Sequence, residues 1–271
     1  MNEQLTTMLL NAMTALAAQA SWATTVAFFF VAYAFTWTLH GAIVLFHLPF
    51  ERTPKSPAML LYFVGLAGPL TAALLLAQLS YGEAGVVSLL SGALRWDFGA
   101  VWYVMAIVPL AGIYLVSAVA YRLRVKERFA LFRKPPVGLL VLVVSQVWVV
   151  IAEEFGWRGF ALPHLQALLG WLVSGLVLGV LWASWHLPMF FVSGSNQYGS
   201  SFPRYLFVVT VWSLYMAMLY YQTGGSVLAC MIFHAAANIW GMTINVPEKA
   251  EGLVLLLCLP LLITAVALLP M

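Results

Sequence analysis

Residues 137–160 read VGLLVLVVSQVWVVIAEEFGWRGF. The first sixteen carry no charge, and Ser145 and Gln146 are their only polar side chains. Glu153, Glu154 and Arg158 then fall within six residues. A bilayer core takes about 20 mostly apolar residues per helix, so the stretch reads as a membrane span. An ionisable group there costs about 2.5–3.5 kcal/mol on insertion scales and usually faces a partner or a cavity. The stretch therefore predicts a helix in lipid that holds charge for a purpose.

The rest of the chain agrees. Of 271 residues, 63% are hydrophobic and 8% are charged, too few charges to solvate a soluble domain, where about a quarter are charged. Spans are predicted near 22–48, 57–80, 99–121, 137–160, 171–190, 204–222, 226–245 and 252–270. The fold class is thus all-α, a polytopic membrane helix bundle of about eight transmembrane helices with an intramembrane polar cavity. Residues 4–20 are less apolar and read as an interfacial helix or an extension of the first span. The breaks are the Pro-rich LPFERTPKSP, the basic RLRVKERFALFRKPP, the Gly/Ser-rich VSGSNQYGSSFP and the short polar NVPEKAEG. None of them can fold alone, so residues 1–271 form a single membrane domain.

Six of the twelve Lys and Arg lie in residues 122–134, which places that loop in the cytoplasm by the positive-inside rule. Eight spans then put both termini outside. The net charge of +3 is small. The expected partners are membrane lipids, with no nucleic acid. Cys230 and Cys258 sit in apolar runs and suggest no disulfide framework. The N-terminus lacks a basic region and a small-residue cleavage site, so the first apolar segment reads as a retained span.

Three segments carry polar chemistry. In VVIAEEFGWRGF, Glu154 and Arg158 are spaced i,i+4 and share a helical face, which predicts an ion pair. Glu153 points about 100° away and lacks that partner. Gln146, seven residues earlier, shares its face and suggests a polar stripe leading to it. A carboxylate held apart from charge in an apolar site suits a general base. Gly156 and Gly159 permit a kink or close packing. In GVLWASWHLPMFF, His186 follows Trp182 by one turn and Pro188 disrupts the helix. In LACMIFHAAANIWGM, His234 and Asn238 share a face across small alanines. Each histidine alone is as readily a satisfied core residue. Cys230, one turn before His234, reads as an inert buried thiol rather than a nucleophile. His40 and His47 read as core or interfacial, and His164, beside Pro163, as interfacial.

In order, Glu-Glu-x-x-x-Arg, aromatic-x-x-x-His and His-x-x-x-Asn resemble the CPBP family of intramembrane proteases, which includes the CAAX prenyl protease 2, Rce1-like and Abi proteins. The resemblance covers about residues 137–245, the expected catalytic core. It implies an intramembrane endopeptidase of glutamate or metallo type, acting on a membrane-anchored protein or peptide by CAAX-type processing or in an immunity role. It implies that Glu153 activates water, that Glu154 and Arg158 complete the first motif, and that His186, His234 and Asn238 belong to the site. Asn238 is then a candidate oxyanion donor. The second motif commonly has phenylalanine where Trp182 stands, which keeps an aromatic wall.

Two chemistries fit this set. The residues can orient water directly, or they can hold a divalent metal such as zinc. The zinc helix His-Glu-x-x-His is absent from the chain. Intramembrane Glu, His and Arg also build proton-coupled transporters, although no paired half-repeat is visible, and a non-catalytic immunity or scaffold protein is a third reading. On straight helices, Glu153 lies about 24 Å from Val137 and His186 near the opposite depth. They meet only if the chain tilts or breaks around Gly156 and Pro188, or if the span ends or orientation differ. The expected location is an integral membrane protein of the bacterial plasma membrane.

Overall fold

The computed structural model describes residues 20–51, 53, 55–126, 129–133, 138–247 and 251–269. Residues 4–19 of the expected interfacial helix, and Arg128 and Lys134 of the basic loop, lie outside these.

Helices start where the sequence offers a cap. Ser21 opens α1 (Trp22–Leu45), its Oγ accepting the Thr24 N–H at 3.1 Å, which satisfies one orphan donor of the first turn. Ser56 caps α2 (Pro57–Gly65), which has Pro57 at its first position. A short break leads to α3 (Gly68–Ser91), and Thr36 of α1 closes it by donating to the Gly65 carbonyl at 2.7 Å. Next comes α4 (Ala100–Val125), which stops at Lys126 in the left-handed region at φ 57°. Arg122 and Arg124 sit in its last turn, so the basic loop begins inside the helix.

The quoted stretch forms α5 (Leu139–Glu154), which widens into a π segment (Phe155–Ala161) and continues as α6 (Leu162–Trp185). A short 3-10 turn (Leu187–Phe191) follows. The chain ends with α7 (Phe202–Gln222), α8 (Val227–Thr243), α9 (Glu251–Leu257) and α10 (Leu259–Leu268). Among the described residues there is no strand, only an isolated bridge between Phe132 and Ile244.

Among the described residues five stretches are long and apolar enough to cross a membrane, with shorter apolar helices at Val227–Thr243 and Gly252–Leu268. The fold is the expected all-α polytopic bundle. Its outer surface carries Val26, Phe30, Leu79, Val144 and Ile263, whereas Glu153, Glu154 and Arg158 are buried. Apolar side chains outside and charges inside suit lipid as the surrounding solvent.

One of the five stretches, Leu140–Phe191, has 52 residues. Straight, it would reach about 78 Å, more than twice the hydrocarbon thickness of about 30 Å. It does not run straight. Gly170 stands at φ 74°, ψ 171° inside α6, a backbone state open essentially to glycine alone. Beyond it the chain folds back, α6 packs along α7, and Trp182 reaches Glu153 from 29 residues away. Gly170 thus divides the expected fourth and fifth spans.

The π segment sets how closely α3 approaches. A Cβ on Gly156 would lie 2.4 Å from Pro69 Cβ and 2.5 Å from its carbonyl carbon. Only a glycine lets the two backbones touch there. Helices α5 and α8 pack together, and α6 and α8 both touch the π segment, so the three motif-bearing segments surround one interior.

Candidate active site

The Glu154–Arg158 pair closes within the helix. Arg158 Nη1 donates to both Glu154 oxygens, at 2.8 and 3.1 Å, and both side chains are fully buried. A charge-assisted pair of this kind is among the stronger hydrogen bonds. Glu154 Oε1 also accepts from His234 Nδ1 at 2.7 Å. This ties the first motif to α8 and turns the second ring nitrogen of His234 away from Glu154.

Glu153 leaves the helix on a different side, as the 100° rotation per residue requires. Its Oε2 accepts the indole N–H of Trp182 at 2.8 Å. Among the described residues no protein group bonds Oε1. His186 closes α6, and its Nδ1 meets the Trp182 carbonyl at 2.9 Å. A carbonyl only accepts, so Nδ1 carries the proton and Nε2 of the neutral ring is an acceptor. Asn238 Nδ2 donates to Gln146 Oε1 at 2.8 Å. The amide nitrogen has two hydrogens, so one remains.

Glu153, His186, His234, Asn238, Gln146 and Trp182 all line one cavity of about 470 Å³. The break in depth is resolved at the π segment and at Gly170, not at Pro188, which only shapes the turn after α6. Asn196, Gln197 and Ser200 also line the cavity, so the Gly/Ser-rich loop contributes to its wall. Glu154 and Arg158 stand behind that wall.

Other candidates lie elsewhere. The Cys230 thiol donates to the Met216 carbonyl at 3.4 Å, and Cys230 is not among the cavity residues. His40 is buried against Tyr62, whose carbonyl it meets at 3.1 Å. His164 is buried between the Phe160 carbonyl at 2.7 Å and the Tyr81 hydroxyl at 2.8 Å, a core position rather than an interfacial one.

Sequence reasoning missed what Trp182 does. Its N–H binds Glu153, its face lies 4.3 Å from the Arg158 guanidinium carbon, and its ring meets His234 edge-on at 5.1 Å. The signal was present, since tryptophan adds an N–H donor that phenylalanine lacks. Tyr205 was also missed. It lines the cavity and meets the His186 ring edge-on at 5.6 Å.

Donor atoms of Glu153, Glu154 and His234 lie within 4.8 Å of one another, a group that could hold a metal. Glu154, however, is already bound by Arg158 and His234, and a guanidinium 2.8 Å from its oxygen repels a dication. His186 lies outside the group. Within that group only Glu153 and His234 then offer uncommitted donors, fewer than the three protein ligands of a typical catalytic zinc. The arrangement fits a metal poorly, and no step below is routed through one.

Residues 135–240 match the family model described as type II CAAX prenyl endopeptidase Rce1-like. The matched stretch contains all three motifs. The chain is also similar to the CAAX prenyl protease 2 of Methanococcus maripaludis, with 26% identity over 116 residues. That alignment covers 38% of this chain and 39% of the relative, so it spans about two fifths of the curated protein's length. With the motifs, the two matches show a likeness to Rce1-like CAAX proteases over about two fifths of the chain.

Proposed function

We propose that this protein is an intramembrane endopeptidase that hydrolyses a peptide bond of a membrane-anchored protein or peptide, with Glu153 as the base that activates water. The carrying observation is the Glu153 carboxylate itself. One oxygen is held by Trp182 at 2.8 Å and the other has no protein partner among the described residues, in the wall of the cavity. The donor atoms of Glu153 and His234 lie within 4.8 Å. Two hydrogen bonds of about 2.8 Å through one water span such a gap.

In this reading Glu153 takes a proton from water as its oxygen attacks the scissile carbonyl carbon. The developing oxyanion accepts from the remaining Asn238 amide hydrogen, as electrostatic stabilisation requires. Glu153 returns the proton to the leaving amine as the C–N bond breaks. Glu154 and Arg158 hold His234 in place without touching the substrate. The orientation with residues 122–134 in the cytoplasm, and a bacterial plasma membrane as the location, belong to the same reading. The orientation rests on the six Lys and Arg of that loop.

The test is cleavage of a lipid-anchored fluorogenic peptide by the purified protein in proteoliposomes. Glu153→Gln, His186→Ala and His234→Ala are each expected to abolish turnover while the protein still folds. Unchanged cleavage in all three sinks the proposal. Glu153-dependent solute flux without proteolysis favours a transporter instead. Turnover is expected to survive a strong divalent chelator. Loss on chelation, with recovery on adding zinc, favours the metal reading.

A further inference from the structure

The geometry points to Trp182 as the positioning residue of the site: its indole N–H, not its aromatic surface, holds Glu153 in the orientation that works. This rests on the proposed hydrolytic role of Glu153.

Four contacts converge on this one residue, which is 2% exposed. The N–H reaches Glu153 Oε2 at 2.8 Å. A carboxylate on a flexible side chain otherwise turns about its last torsion with little preference. Binding Oε2 stops that rotation and leaves Oε1 as the oxygen available to water. The ring face takes the Arg158 guanidinium at 4.3 Å. Arg158 Nε and Nη2 are buried without hydrogen-bond partners, so the π face covers charge that no acceptor meets. The ring edge fixes the plane of His234 at 5.1 Å. The backbone carbonyl of the same residue orients His186 at 2.9 Å. Each of the three motifs therefore touches Trp182.

Phenylalanine at this position would keep the face and the edge. It would keep the backbone carbonyl too. It would remove the donor and one of the two fused rings, leaving Glu153 Oε2 buried with no partner. An aromatic wall alone cannot choose between the two oxygens of a carboxylate, whereas a hydrogen bond can. The polar difference between this chain and a phenylalanine-bearing one is thus a single N–H.

Two variants test the point in the proteoliposome assay, beside the wild type and Glu153→Gln. Trp182→Phe removes the donor and shrinks the ring. Benzothienylalanine placed at position 182 through a reassigned codon keeps the bicyclic shape and replaces N–H with sulfur. Both are expected to lower kcat about 10- to 100-fold, the range for losing a hydrogen bond to a charged group. KM is expected to stay within about twofold, because the bond touches the base and not the substrate. The benzothienyl protein is expected to keep a cooperative thermal transition within several degrees of the wild type, as the loss of one buried hydrogen bond predicts, whereas a collapsed site would not keep KM alongside the fall in kcat. Wild-type kcat in the benzothienyl protein, with Glu153→Gln inactive, overturns the positioning role and leaves the hydrolytic reading intact. Equal cleavage by the wild type and Glu153→Gln overturns the hydrolytic reading, and the positioning role with it.

Discussion

Replacing Arg158 with methionine removes the only cation paired with Glu154 among the described residues. The lost contacts are the Nη1 bonds to Glu154 at 2.8 and 3.1 Å and the stacking on Trp182 at 4.3 Å. Both partners are fully buried, so no solvent replaces the guanidinium. Breaking a buried pair from one side costs about 3–5 kcal/mol, mostly because a charge is left uncompensated. At roughly 2–4 °C per kcal/mol for a chain of this size, the thermal midpoint of Arg158→Met in detergent should fall by on the order of 10 °C. Adding Glu154→Leu removes the orphaned charge and should recover most of that loss, since replacing both members by apolar groups is often neutral. The double variant should still fail to cleave, because His234 Nδ1 then has no carboxylate acceptor. A midpoint within about 2 °C of wild type for Arg158→Met alone, below the loss expected for a broken buried pair, would refute the reasoning. So would full activity of the double variant.

Gly156→Ala places a Cβ 2.4 Å from Pro69 Cβ and should destabilise the protein by about 1–3 kcal/mol through overpacking, read as a lower thermal midpoint. Gly170→Ala forces a side chain onto φ 74°, ψ 171°, with a cost of about 1–3 kcal/mol. Limited proteolysis should show a loosened junction between the two halves of the 52-residue stretch. Asn238→Ala should lower kcat about 10²- to 10³-fold if its amide serves the oxyanion. Gln146→Leu, which only frees that amide, should leave most of the turnover.

Local geometry was legible in the chain and long-range geometry was not. The Glu154–Arg158 pair follows from i,i+4 spacing alone, because a helix carries its own ruler. The lengths of α1, α4 and α7 follow from apolar run length. The meeting of Glu153 with Trp182 does not, because it depends on one backbone angle at Gly170 and on the π segment. Hydropathy is blind to both. On straight helices the two residues sit at different depths. The bond between Asn238 and Gln146 was hidden for a related reason. Each residue was visible as polar, but helical spacing says nothing about which neighbour on another helix will face it. Trp182 was visible as an aromatic residue, and its N–H was overlooked because aromatic residues are read first as packing.

The placement of Arg158 one turn after Glu154 also matters while the protein is being made. The membrane insertion machinery meets Glu153, Glu154 and Arg158 before Trp182 and His234 have left the ribosome. A pair formed inside a single helix needs no tertiary partner, so two of the three charges can enter lipid already neutralised. Glu153 is the one that must wait, first for the fold at Gly170 to return Trp182 to it and then for α8 to dock. The proposed hydrolytic centre is thus incomplete through most of synthesis, and a nascent chain carries its carboxylates into the bilayer before that centre exists.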